Sequence, residues 1–337
     1  MTASTDSGAL GALLASGRTL LADGATGTSL FAMGLAAGEA PERWNLDHPD
    51  RIDRLHQGFV DAGADIVLTN TFGGNARRLA LHGLDGQVHE VNREAARIAR
   101  TVADRAPRRV VVAGSVGPTG ELFEPLGTLT GTVATEVFEA QMRGLRDGGV
   151  DVIWIETMSA LEEIQAAAAA AANVGLPFVI TASFDTAGRT MMGVTPRALA
   201  QFARTLDPPP LAVGANCGVG AADLVVSVLE MSGADPQLAV VAKANAGVPR
   251  IVGADVCYSG TAELMGRYAR LAADAGARIV GGCCGTACDH LAAMRAALDR
   301  TEPGPRPDRE RVEAELGPLQ APAADKAPRD ARGRRGR

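Results

Sequence analysis

Aromatic side chains are scarce: two Trp, two Tyr and eight Phe make up 4% of 337 residues, while 40 positions are Gly. Together with abundant Ala, that balance favours a tightly packed α/β protein over one built on large rings. Positive charge is not in excess either, since 33 Lys and Arg stand against 39 Asp and Glu for a formal net charge of −6. A face for nucleic acid or for an acidic membrane needs clustered cations, and only the C-terminal end has such a cluster. No window reaches the roughly 18 consecutive apolar residues of a membrane span. The N-terminus MTASTDSGALGALLASG lacks the basic stretch and apolar run of a secretion signal, so the sequence reads as cytoplasmic. Cysteine is limited to five, an odd number with two adjacent, which is a poor disulfide framework but a reasonable supply of metal-binding thiolates.

What is present is a repeating pattern of short β-branched runs, each followed by a stretch with helical spacing. The candidate strands are Leu20 to Ala25, Asp65 to Thr71, Arg109 to Ser115, Asp151 to Thr157, Phe178 to Phe184, Leu211 to Cys217, Leu238 to Asn245 and Arg278 to Cys283. Runs such as Val110-Val111-Val112 and Val152-Ile153-Trp154-Ile155 are apolar almost throughout, as in parallel strands buried on both faces. Helices are expected over Arg51 to Ala62, Val88 to Ala103, Leu161 to Ala172 and Ala262 to Asp274. The seven alanines from Ala166 to Ala172 read as helix, because Ala has the highest helix propensity. Eight alternating units favour a single-domain (β/α)8 TIM barrel over an open doubly wound sheet.

The expected layout is an N-terminal extension over 1–17, a barrel over 18–300 and a disordered tail over 301–337. That tail is rich in Pro, Ala and charge, with five Arg among its last nine residues. Gly63, Gly149 and Gly276 each follow a helical stretch and precede a strand, where helix C-caps belong.

Barrel active sites form at the C-terminal ends of the strands. The polar and thiol residues delivered there are Asp23, Asn70, Ser115, Glu156, Ser183, Cys217, Asn245 and the pair Cys283-Cys284. Cys217 and Cys283 lie far apart in sequence, but strands six and eight of a closed barrel open onto one mouth. Neighbouring side chains on a strand face opposite ways, so Cys283 and Cys284 bind one ion only where the backbone turns, and Gly281, Gly282 and Gly285 supply that freedom. Three thiolates with a fourth position open match a catalytic zinc, and soft sulfur selects Zn²⁺ over a hard cation. Cys257, placed in a loop or helix after strand seven, and Cys288, entering the final helix, read as small buried residues. The five His, at 48, 56, 82, 89 and 290, read as surface residues.

Such a metal removes the proton from a thiol, whose ordinary pKa is near 8.5, and three thiolates on Zn²⁺ leave a net charge near −1 that keeps a bound sulfur nucleophilic. The loop Asp23-Gly24-Ala25-Thr26-Gly27-Thr28 presents backbone N–H groups to an anion or is simply a tight strand-to-helix connection. Glu156 ends an apolar strand, where a carboxylate needs either a substrate ammonium or an internal Arg.

These residues resemble the zinc-dependent homocysteine S-methyltransferase family, which includes betaine–homocysteine methyltransferases and the homocysteine domain of cobalamin-dependent methionine synthase. The resemblance runs from about Leu20 to Ala297. It rests on Asp23 to Thr28, Ala62 to Asn75, Gly114-Ser115-Val116-Gly117-Pro118-Thr119-Gly120, Glu156-Thr157, Gly214-Ala215-Asn216-Cys217, Asn245-Ala246-Gly247 and Gly281-Gly282-Cys283-Cys284-Gly285-Thr286. It implies zinc on Cys217, Cys283 and Cys284, the homocysteine amine near Glu156 and Asp23, and its carboxylate on the backbone of Thr26, Gly27 and Thr28.

The methyl donor is where this chain departs from the animal-type betaine enzymes, which carry a Tyr where it has Gly73. Trp44 then remains as a cation-π surface or serves as a packing anchor, while Asn70 and Phe72, candidate substrate-binding residues, look like the methionine synthase domain. Glycine betaine is the expected donor, with S-methylmethionine or a separate corrinoid protein as alternatives, since the residues after 300 are too few for a corrinoid module. Self-association into a homo-oligomer is compatible with this reading. Two other classes stay open: a non-catalytic zinc- or thiol-binding module, and a zinc-water hydrolase, for which three thiolates make a poorly electrophilic metal.

Overall fold

The structure, a computed structural model, describes residues 8–247, 249–252, 255–299 and 304–320, of which 249–252 and 255–257 are described in backbone only. Ten strands occur in chain order: β1 (Leu20–Leu21), β2 (Ile66–Leu68), β3 (Val111–Val116), β4 (Val152–Met158), β5 (Phe178–Ala182), β6 (Ala212–Cys217), β7 (Val240–Ala244), β8 (Pro249–Val252), β9 (Asp255–Tyr258) and β10 (Ala277–Gly282). Eight form one parallel sheet in the order β1-β10-β7-β6-β5-β4-β3-β2. Its two ends meet through a parallel bridge between Ala22 and Ile66 and a 2.6 Å bond from Asp65 N to the Leu21 carbonyl. The ring is the (β/α)8 barrel expected from the alternation.

Strand side chains divide by parity, as the two-residue period requires. Leu20, Ile66, Leu68, Val111, Ala113, Val152, Trp154 and Val179 form one buried cluster, while Leu21, Val67, Val112, Ile153 and Ile180 belong to another that includes helix residues. The first cluster fills the barrel and the second glues the helices to its outside. Ala9 and Leu10, from the helix Gly8–Ala15, join the inner cluster, so part of the N-terminal extension plugs the barrel.

The helices Pro49–Asp61, Val88–Arg105, Leu161–Val174 and Ala262–Asp274 cover the expected stretches. Gly63, Gly149 and Gly276 adopt positive φ where those chain reversals require it. Among the described residues no helix is long and apolar enough to cross a membrane.

Four expectations need correction. First, an antiparallel hairpin, β8 with β9, follows β7, so Cys257 lies on a strand and not in a loop or helix. The β-branched Ile251, Val252 and Val256 on either side of Gly253 carry that signal. Second, His56 is fully buried, because Ile52, Leu55, His56 and Phe59 form the i, i+3, i+4, i+7 stripe that faces the sheet. Third, Cys288 is exposed, at the start of the helix Cys288–Asp299. Fourth, disorder does not extend over 304–320. There the helix Arg309–Leu316, capped by the Asp308 side chain, buries Val312, while Arg306 donates to the carbonyls of Ala275 and Leu229. The Arg-rich end lies outside the described residues.

Candidate active site

Cys217 is the last residue of β6, and Cys283 and Cys284 follow β10 directly. Their sulfurs converge: Cys217 Sγ is 2.7 Å from Cys283 Sγ and 3.9 Å from Cys284 Sγ, and all three lie within 4.8 Å of one another. Left-handed backbone makes this possible, at Cys217 (φ 57°) and at Gly285 (φ 78°). Gly285 also has no room for a side chain, since a Cβ there would collide with the Tyr258 ring. The neighbouring glycines act through space and not through backbone freedom. A Cβ on Gly281 would meet Ala22 at 2.9 Å, and one on Gly282 would collide with Thr286 Oγ1.

Three thiols at such separations do not ionise independently. Cys284 is held down to about 3 by hydrogen bonds from Cys217 and Cys283, with Tyr258 adding another. Cys217 is pushed well above its ordinary range by its bonds to Cys283 and Cys284 and then by burial. At Cys283 the bond from Cys217 favours the thiolate, but the bond to Cys284 and burial outweigh it and lift the group to about 11. One negative charge is therefore what the cluster tolerates alone, and a dication is what allows all three sulfurs to ionise. The donor set, sulfur only, fits Zn²⁺ and does not suit Mg²⁺ or Ca²⁺.

The cluster opens into a cavity of about 450 Å³ at the C-terminal mouth of the barrel. Asp23, Thr26, Gly27, Thr28, Asn70, Phe72, Glu156 and the three cysteines all line it. A larger groove, about 700 Å³, lies on the outer face beside Asp53, Arg54, Glu94 and Arg97 and holds none of these groups.

At the cavity floor Glu156 Oε1 accepts a 2.5 Å hydrogen bond from Ser115 Oγ. Burial pushes this carboxyl up to about 7, against the pull of Lys243 and Ser115. Asp23 accepts from Leu68 N at 2.7 Å through Oδ2 and from Lys243 Nζ at 2.6 Å through Oδ1. Burial opposes the charge on Lys243, but Asp23 and then Glu156 outweigh it and raise its pKa. The internal cation near Glu156 is thus a lysine and not an arginine. Thr26 to Thr28 open the helix Thr26–Ala32, whose N-cap, Ala25, supplies no side-chain acceptor, so the first-turn N–H groups stay available.

The outer wall consists of Pro41, Glu42, Phe72, Gly73, Arg78 and His82. Phe72 is 39% exposed, and Glu42, almost fully buried, accepts from Gly73 N at 2.7 Å. Burial raises the Glu42 carboxyl above its ordinary value. Asn70 Nδ2 donates to the Pro41 carbonyl and to Asn45 Oδ1, which fixes the residue in the wall. Trp44 is not part of this wall. It is 1% exposed, and the Arg51 guanidinium already lies over its ring at 4.7 Å, so the cation-π partner is internal.

Sequence reasoning overlooked Lys243, Glu42 and Arg78. A lysine inside the apolar run Leu238 to Asn245 was the available signal for the first of them.

A family model described as homocysteine S-methyltransferase matches residues 20–298. Two methionine synthases are similar: that of Mycobacterium leprae (strain TN) at 29% identity over 310 residues, and that of Mycobacterium tuberculosis (strain ATCC 25618 / H37Rv) at 30% over 309. In both cases the alignment takes in 87% of this chain and 25% of the relative, so the chain spans about a quarter of these curated relatives. The metallated form of the homocysteine methyltransferase MmuM from Escherichia coli has the same fold, with a TM-score of 0.71 at 24% identity, covering 85% of this chain and 98% of that one.

Proposed function

Since the chain belongs to the homocysteine S-methyltransferase family, we propose that it makes methionine by transferring a methyl group from glycine betaine to homocysteine with the help of zinc. One observation carries this reading: the three converging sulfurs share a single cavity with a carboxylate suited to an ammonium and with unfilled backbone N–H groups suited to a carboxylate. A pure metal store needs only the sulfurs.

Cys217, Cys283 and Cys284 would hold the zinc. When bound, it supplies the acidity that strips the substrate thiol of its proton while leaving the sulfur electron-rich. The chain's own residues bind and orient. Glu156, steadied by Ser115, receives the amino group, and the N–H groups around Thr26, Gly27 and Thr28 receive the carboxylate. These contacts aim the sulfur outward toward Phe72.

There an onium methyl would meet the exposed ring of Phe72, and Glu42 and Arg78, which line the same cavity, offer an anion for the onium and a guanidinium for a donor carboxylate. Among the described residues no histidine lines the floor, and none is needed, because the acidity a bound zinc would supply lets the thiol proton leave to solvent. The four described cysteines are all unpaired, which supports action in the reducing cytoplasm.

The deciding experiment measures methionine formation from homocysteine by the zinc-loaded protein with betaine, S-methylmethionine and methylcobalamin in parallel. Turnover with betaine is expected. Turnover with one of the others alone would move the donor assignment, and none with all three, despite bound zinc, would sink the reading.

A further inference from the structure

Two carboxylates and one ammonium sit together at the cavity floor, but they are not equivalent. Asp23 is 1% exposed with both oxygens engaged, one by Lys243 Nζ and the other by Leu68 N. Glu156 is 9% exposed, and among the described residues only its Oε1 receives a hydrogen bond, from Ser115. Lys243 is itself 3% exposed and reaches Asp23 from β7 across β10, 220 positions along the chain. A buried charge without a partner is costly, so an ammonium this deep exists to cancel a specific anion. Asp23 and Lys243 compensate each other as an ion pair, and Glu156, when ionised, leaves the floor with one uncompensated negative charge.

We propose that Lys243 is a specificity-determining residue: by neutralising Asp23 it leaves Glu156 as the uncompensated anion for a substrate ammonium, so the floor selects thiols that carry one cationic group. This inference rests on the homocysteine reading above and assigns the amine to Glu156 alone, where the sequence had shared it with Asp23. A floor without Lys243 would present two competing anions, and the amino group would have two places to go.

The test compares binding of homocysteine and of 4-mercaptobutyrate, which is homocysteine without its amino group, to the zinc-loaded protein by titration calorimetry. The wild-type protein favours homocysteine by about tenfold to a hundredfold, as expected for one buried charge-assisted contact. Glu156→Gln brings that ratio close to one. Removing the pair together, Asp23→Asn with Lys243→Met, leaves the ratio within about threefold of wild type, because the two charges cancel. Lys243→Met alone frees Asp23, so Glu156→Gln in that background regains discrimination that the single Glu156→Gln variant lacks. A merely structural lysine would instead make that double variant worse than either single change.

Should the paired variant misfold by circular dichroism, Asp23→Asn with Lys243→Gln keeps a neutral hydrogen-bonded pair and serves the same comparison. Loss of discrimination in the paired variant, as complete as in Glu156→Gln, would overturn the proposal by showing that Asp23 takes the amine. Failure of the wild-type protein to bind either thiol would instead bring down the homocysteine reading itself.

Discussion

Asn216 grips Thr157 at both ends: its Oδ1 accepts from Thr157 N at 2.9 Å and its Nδ2 donates to Thr157 Oγ1 at 2.7 Å. These two residues adjoin the chemistry, since Cys217 follows one and Glu156 precedes the other. Thr157 and Cys217 both have positive φ, at 61° and 57°, a conformation costing roughly 1–2 kcal/mol at each non-Gly residue. Thr181 Oγ1 donates to the same Asn216 oxygen at 2.7 Å, so one amide holds β4, β5 and β6 in register at the rim. Asn216→Ala is expected to cost about 3 kcal/mol in urea unfolding, by stranding buried donors, and to weaken zinc affinity by roughly tenfold. Unchanged zinc affinity in a competition titration would show that the clamp does not position Cys217.

Each of Cys217→Ala, Cys283→Ala and Cys284→Ala should lose stoichiometric zinc and abolish methionine formation, because two sulfurs make a poor site. Cys288→Ser is the control. That residue is exposed, its sulfur lies beside Gly58 and outside the three-sulfur cluster, and its replacement should leave both properties intact. Metal content by atomic emission, set beside turnover, decides the matter.

Preference for homocysteine over 4-mercaptobutyrate should rise with pH. Burial first, against Lys243 and Ser115, places the Glu156 carboxyl at about 7, and only its ionised form attracts an ammonium. From roughly pH 6 to pH 8 the carboxyl goes from mostly protonated to mostly charged, and the preference grows accordingly. Glu156→Gln should flatten the profile. A wild-type ratio that stays level across that range would contradict the assignment.

Stability should fall on mild acidification through His56. This imidazole is fully buried, with no hydrogen-bond partner at either ring nitrogen among the described residues, and desolvation lowers its pKa from 6.5 to about 4 against the attraction of Asp23 and Asp53. Between those values the unfolded chain binds a proton that the folded chain refuses, so the contribution is complete above pH 6.5 and lost as pH drops toward 4. The shift corresponds to about 3 kcal/mol. Urea denaturation at the two ends of that window should show the loss in the wild-type protein and much less of it in His56→Leu.

The barrel was legible because parallel strands covered on both sides must be apolar at nearly every position, and runs such as Val152 to Ile155 meet that demand. The sulfur cluster was legible because strands six and eight of any such ring share a mouth. Pairings between remote residues were not. Nothing local in Lys243 points to Asp23, and Trp44 looks like a free surface until Arg51 is seen lying on it. His56 is a different case, since its position in the stripe with Ile52, Leu55 and Phe59 could have been read from spacing alone. Gly281 and Gly282 were singled out correctly but for a different physical reason, crowding by Ala22 and Thr286 and not backbone flexibility.

The order in which the sulfurs leave the ribosome follows from where they sit. Cys217 ends the sixth barrel strand and emerges alone, while the other two arrive only with β10, the strand that pairs with β1 and shuts the ring. A nascent chain therefore offers only one of the three cluster sulfurs until nearly the whole domain has been synthesised. Assembly of the three-sulfur cluster and circular closure thus become one event, so a half-made protein presents no complete site that could sequester an ion.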